Sequence, residues 1–284
     1  MQLGVVMMGT GVYAAASVGV VQALMERGIE PYAVCGMQAG AWPAALLLSG
    51  RDAQGLSRAV VQAAAARGRL LRMSLLPGLR LTGGRRALGS GRGVERLLLL
   101  QLGQQLMPLC PRRGMLLCRS AQTGQRVVFA TRAFGQEQGA QLSMQVSLGF
   151  AARAAVTLPP FLPPVIWMGS ALLPVEDVPF ACRQLLLMGA QRVLVIEPCP
   201  SACGEPDAVT LTGMLLQSGE RMPQDERVGV LRVALPPSIP AHAVARLTDC
   251  VRAGYDAAGR ELEDVLRRMG MGICRVLPFP RSML

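Results

Sequence analysis

The chain has 284 residues, 51% of them apolar, which is enough for one large core and too much for a disordered chain. Its formal charge of +11 is carried by arginine alone, because the sequence contains no Lys and no Asn. Only 4% of residues are aromatic and no basic run is interleaved with stacking side chains, so nucleic acid is not expected as a partner.

Lys and Asn share A-rich codons, so coding bias explains the choice of Arg over Lys, but not the excess of base over acid. Eight cysteines are scattered at 35, 110, 118, 182, 199, 203, 250 and 274. In a chain this long they read as reduced core thiols of a cytoplasmic protein. Cys199 and Cys203 are the only close pair, and His242 is the only histidine. No metal site and no cofactor is therefore expected. The apolar N-terminal run lacks a basic leader and is broken by Gly9 and Gly11, so neither a signal peptide nor a membrane span is expected.

Leu3 to Met8 is a continuous apolar run ending in Gly9-Thr10-Gly11, the pattern of a buried parallel strand entering a phosphate- or oxyanion-type loop. Ala14 to Arg27 carries helix-spaced Val18, Val21 and Leu24 and stops at Gly28. Tyr32 to Cys35 is a second strand. It runs into Gly36-Met37-Gln38-Ala39-Gly40 and a small-residue helix, Ala39–Leu48. Strand, helix, strand, helix is a βαβ pattern. The Gly-x-x-x-Gly turn outlines a nucleophile elbow, in which a tight strand-to-helix turn lifts one side chain above the sheet. Its apex calls for Ser, and here it is Gln38, whose amide is no nucleophile.

Asp52 caps a helix reaching about Arg67. From Arg67 to Arg96 there are eight arginines and a single acid, Glu95, with Leu70, Leu71, Leu75, Leu76, Leu79 and Leu81 between them. The segment reads either as a patch for an anionic membrane surface or as a solvated loop. A helix from Val94 to about Met107 follows, then a hairpin, Leu116–Ser120 with Arg126–Phe129. Residues 151–175 are too proline-rich for a long helix. A helix ending near Gly189, a strand Arg192–Ile196, a loop over 199–227 with one short helix, a strand Val228–Val233 and a helix Ala241–Met269 complete the chain. The expected organisation is one domain over 1–284, with core motifs in 3–197 and a C-terminal strand and helix in 228–269.

Several of these pieces resemble one family, the patatin-like phospholipases, in their bacterial single-domain form. Leu3–Leu24 is similar to the family's first strand, glycine-rich loop and helix, and Gly36–Gly40 falls on its Gly-x-Ser-x-Gly elbow. Thr123–Phe129 resembles its "dTGerVvF" hairpin and Ala152–Val165 its "vrASaAiPglFpPv" segment. Leu173–Val175 and Gly189–Ile196 resemble "nLPv…lGAdvViaV", and Ala253–Ala257 a "GYedA" helix. The resemblance implies an α/β fold, a three-layer α/β/α sandwich with a mostly parallel sheet. It also implies a lineage that hydrolyses acyl esters with an elbow serine, an aspartate base and backbone N–H donors in the glycine-rich loop.

By that resemblance Gln38 occupies the nucleophile position, and the aspartate falls in Trp167–Ser170 with Met168 the nearest candidate. No acid occurs between Glu137 and Glu176. Gly9, Thr10 and Gly11 remain from the oxyanion loop, with Tyr13 at the family's arginine and Ala14 at its last glycine. The resemblance thus implies a pseudoenzyme that binds a lipid or fatty-acyl group. One alternative is an active acyl-ester hydrolase with a relocated nucleophile, and another is a nucleotide or anion site at Gly9–Gly11. Gly9-x-Gly11-x-x-Ala14 also fits a dinucleotide fingerprint, but the second strand ends without the acid that reading needs. Cys35 reads as an inert core thiol, Ser17 as a helix-surface serine, Thr10 as a loop hydroxyl bonding backbone, and His242 as an exposed residue at a helix start.

Overall fold

The computed structural model describes residues 2–66, 91–135, 140–200, 207–215, 225–237 and 239–271. The mainly apolar runs become central strands whose middles are buried on both faces, as parallel sheets require. These are β1 (Leu3–Met7), β2 (Pro31–Met37) and β8 (Arg192–Cys199). To them are added β3 (Arg113–Ser120), β4 (Arg126–Ala130), β5 (Ala140–Ser143), β6 (Val165–Trp167), β7 (Ser170–Pro174) and β9 (Val228–Ala234). The sheet order is β5-β4-β3-β2-β1-β8-β9, and β7 pairs with both β3 and β6. Five pairings are parallel, namely β1 with β2 and β8, β2 with β3, β4 with β5 and β8 with β9. The β3–β4 hairpin, β3–β7 and β6–β7 are antiparallel.

Side chains alternate across this sheet with the two-residue period of a strand. Val5, Met7, Val34, Leu116, Leu194 and Ile196 enter one core, under α1 (Ala16–Glu26), α2 (Ala41–Leu48) and the long C-terminal helix Leu247–Arg268. Val6, Cys35, Met37, Met115, Val193 and Val195 enter the other, under the helix Val178–Leu187. Helices thus cover both faces of a mostly parallel sheet, the sandwich anticipated above. In chain order the remaining helices are α3 (Ala53–Ala65), α4 (Arg92–Leu102), α5 (Leu148–Ala155) and α7 (Ala208–Leu215). Val178–Leu187 is α6 and Leu247–Arg268 is α8. Asp52 caps α3 as expected, accepting from the Gly55 N–H at 2.7 Å.

Three boundaries differ from the sequence reading. The first helix is preceded by a tight 3-10 turn, Gly11–Ala15. The helix expected to reach Met107 ends at Leu102, where Gly103 turns the chain at φ +61°. The helix expected from Ala241 begins only at Leu247, after a short 3-10 turn, Val244–Arg246. The carbonyls of Ile239 and Ala241 accept from the glycine-rich loop, and these tertiary bonds hold residues 239–243 out of helical geometry.

Candidate functional site

β2 delivers Met37 to the sheet edge, and the next residue turns sharply. Gln38 has φ +49°, a left-handed conformation that non-glycine residues adopt only where the surroundings impose it. The two flanking glycines do the imposing. A Cβ on Gly36 would sit 2.6 Å from the Ala41 Cα, and one on Gly40 would sit 2.4 Å from the Met7 carbonyl oxygen. The backbone of a strained elbow is therefore intact, with α2 leaving directly from it.

The apex side chain is sealed. Gln38 is 2% exposed. Its Oε1 accepts from the Thr10 hydroxyl at 3.0 Å, and its Nε2 donates to the Gly213 carbonyl at 3.2 Å. Helix α7 lies across the apex at Gly213, where a Cβ would meet the Thr10 Oγ1 at 2.1 Å. The backbone donors beside the apex are engaged as well. The Ala39 N–H donates to the Gly9 carbonyl at 3.1 Å, and the Val12 N–H to Ala241 at 2.8 Å. Tyr13 donates its hydroxyl to the Ile239 carbonyl at 2.8 Å. Residues 239–243 thus strap the loop from one side while α7 covers it from another. An anion at Gly9–Gly11 would have to displace the same strap.

A crevice opens next to this sealed apex. Its larger part, about 160 Å³, is walled by Val12, Trp42, Val94, Leu97, Leu98 and Leu247. A smaller part, about 90 Å³, holds Thr10, Gln38, Thr157, Phe161, Val209 and His242. Gly11, Ala39, Val156, Leu162 and Ala241 line both, so the two compartments adjoin. Trp42 is held in its wall by a 2.8 Å bond from its indole N–H to Gln101, whose amide in turn donates to the Ala59 carbonyl. Buried Arg153 ties the segment below to α4, donating to Thr157 and to the Pro163 carbonyl and pairing with Glu95 at 3.4 Å. Burial lowers the Arg153 pKa, and Glu95 opposes that shift.

At the polar end, His242 Nδ1 lies 3.0 Å from Asp207 Oδ2. The other carboxylate oxygen, Oδ1, accepts from the Thr210 N–H at 2.8 Å and so caps α7. Burial alone would raise the Asp207 pKa, but the hydrogen bonds from Thr210 and His242 outweigh it and hold the carboxyl below its ordinary value. Cys35 lies in β2 on the opposite core. Burial, with Cys182 and Asp177 adding to it, pushes this thiol far above its ordinary pKa, so it is no thiolate nucleophile. Ser17 is fully buried in α1 and is not part of the crevice lining. Among the described residues no group of His, Cys, Asp and Glu is arranged to hold a metal ion.

A family model described as patatin-like phospholipase matches residues 5–173, more than half of the chain. The chain belongs to that family. Among solved structures, VipD from Legionella pneumophila shares the fold at a TM-score of 0.52 and 12% identity, over 93% of this chain and 67% of that one. ExoU of the Pseudomonas aeruginosa type III secretion system, solved in complex with SpcU, matches 92% of this chain and 53% of its own at 16% identity, with a TM-score of 0.37. A human GIVD cytosolic phospholipase A2 aligns with 95% of this chain and 60% of its own at 14% identity, with a TM-score of 0.43. The chain therefore spans between about half and two thirds of the length of these structures. No curated protein matches the sequence.

Against the patatin-like pattern, the structure brings Gly9, Thr10, Gly11, Gly36, Gln38 and Gly40 together at one end of the sheet. It does not bring Met168 there. Met168 sits in the β6–β7 turn at φ +48° and is 78% exposed. The register shows why. Met37 pairs with Leu117, and one step along β3 Cys118 pairs with Pro174, so it is the far end of β7 that reaches the elbow. At about 3.3 Å per strand residue the turn lies about 13 Å further out along the sheet. The acids that follow Pro174 are Glu176 and Asp177, both buried. Asp177 is held by Arg126 at 2.6 Å and by the Phe180 N–H at 3.2 Å, and its own N–H meets the Met37 sulfur.

Of the Arg67–Arg96 segment, residues 67–90 lie outside the described residues, as does Cys203. The rest of the segment opens α4, with Arg92 and Arg96 exposed. Sequence reasoning missed three contributors, Asp207, Gly213 and the 239–243 strap. Only Asp207 carries a local signal, an acidic residue three positions before Thr210 at a helix start.

Proposed function

We propose that this chain is a non-catalytic patatin-like protein that binds a fatty-acyl or lipid group in the crevice beside its elbow. One observation carries the reading: the apex residue is an amide whose oxygen and nitrogen are both bound to the chain itself. An amide offers no nucleophile, and the neighbouring Ala39 and Val12 N–H groups are already satisfied by internal carbonyls. What remains accessible is an apolar cavity of the kind that takes hydrocarbon. The expected outcome of incubation with p-nitrophenyl acyl esters is turnover equal to a heat-denatured blank. Turnover that survives purification and disappears with a single substitution would overturn the proposal.

A peripheral place at an anionic membrane, from the cytoplasmic side, belongs to the same proposal. Leu99, Leu100, Leu106 and Leu109 are exposed close in sequence to exposed Arg92 and Arg96. Exposed apolar side chains beside arginines in the chain suit a surface of anionic headgroups. Co-sedimentation with phosphatidylserine vesicles is expected, weakening as salt rises. Equal pelleting with neutral vesicles would remove this part of the reading.

A further inference from the structure

We propose that the crevice takes a free medium-chain fatty acid, with the ligand's carboxylate on Nε2 of His242. This inference rests on the acyl-binding reading above and specifies the head group, which that reading leaves open. Among the polar side chains at the small end of the crevice, all but one are already engaged. Gln38 has both amide atoms engaged, and Thr10 gives its proton to Gln38. Thr157 donates to the Arg153 carbonyl and accepts from the Arg153 guanidinium. His242 has one nitrogen on Asp207, and Nε2 has no partner among the described residues. Among the described residues it is also the one ionisable side chain in the crevice lining.

Asp207 decides what that nitrogen does. Its carboxylate is fixed on both sides, by the Thr210 N–H and by His242 Nδ1. With Nδ1 held on Asp207, Nε2 is the ring nitrogen left for a ligand. Tyr13 is the other titratable group beside Asp207, and its hydroxyl is engaged with the Ile239 carbonyl. A carboxylic acid arriving on Nε2 shares its proton with that nitrogen in a hydrogen bond that an ester, having no proton to give, cannot make. From there the apolar compartment runs past Gly11 and Ala39 toward Trp42 and Leu97, where a hydrocarbon tail is solvated by side chains alone. Compartments of about 160 and 90 Å³ are small beside the roughly 300–1,000 Å³ of drug-sized ligand sites, which points to a medium chain, not a long one.

The test is calorimetric titration of the full chain with decanoate and with methyl decanoate, both below their aggregation limits. Two substitutions accompany it, His242→Ala and His242→Gln. The His242 side chain is 58% exposed, so neither change opens a hole in the core. Decanoate is expected to bind at least tenfold tighter than its methyl ester. His242→Ala should bring the acid down to the ester's affinity and leave the ester unchanged, while His242→Gln recovers no more than part of the preference. Equal binding of acid and ester by the native chain, or a preference that survives His242→Ala, overturns the inference and leaves the acyl-binding reading standing. Failure of both ligands to bind overturns both.

Discussion

The elbow apex and the crevice beside it are built from the same loop and helix, and they stand in opposite states. At the apex both amide atoms of Gln38 and the adjacent Ala39 and Val12 N–H groups are paired inward, to Thr10, Gly213, Gly9 and Ala241. In the crevice, a few residues away, the walls are apolar and one imidazole nitrogen has no partner among the described residues. The difference teaches that the covering of the apex is local: the chain's own α7 and 239–243 strap lie over Gln38, while the neighbouring apolar crevice stays accessible.

Two changes break this contrast from the apex side. Gly40→Ala is the larger. Its methyl would stand 2.4 Å from the Met7 carbonyl oxygen, with backbone on both sides and no flexible atom to yield. A loss above about 3 kcal/mol is expected, seen as a collapse of the thermal transition or as insoluble protein. A near-native melting temperature would mean that the elbow is not closed as described. Gln38→Leu is smaller. It removes two hydrogen bonds and leaves the Thr10 hydroxyl and Gly213 carbonyl without their partner, which costs about 2 kcal/mol. Because the change is local to the junction of α7 with the loop, hydrogen exchange at residues 208–215 should quicken more than at β1 or β8. Uniform acceleration across the sheet would show that α7 is not held by this amide.

Much of the scaffold was legible in the sequence, and for identifiable reasons. Leu3–Met7 and Val193–Ile196 are apolar at consecutive positions because both faces of their strands are covered, and that signal is local. The paired glycines at 36 and 40 likewise announce a tight approach without reference to anything distant. The parts that escaped depend on partners far along the chain. Ala241-His242-Ala243 has ordinary helix-forming composition, and only bonds from Val12 and Tyr13 make it a strap. His242 and Asp207 are 35 residues apart, and no spacing rule connects them. Short β5 was missed because Gln141-Leu142-Ser143 has little apolar pattern of its own and is a strand by virtue of pairing with β4. The place of Met168 is distant for a related reason: it lies in the β6–β7 turn, and the β3–β7 register carries Pro174 to the elbow instead.

The measurement closest to the central claim is labelling of the intact protein with an acyl-chain fluorophosphonate, followed by mass spectrometry, on the native chain and on Gln38→Ser. The account predicts no adduct on either, since a hydroxyl returned to the apex would still find the Ala39 and Val12 donors engaged and no base bonded to it. A stoichiometric adduct on the native chain, lost on substitution of Thr10, His242 or Glu176, would contradict it.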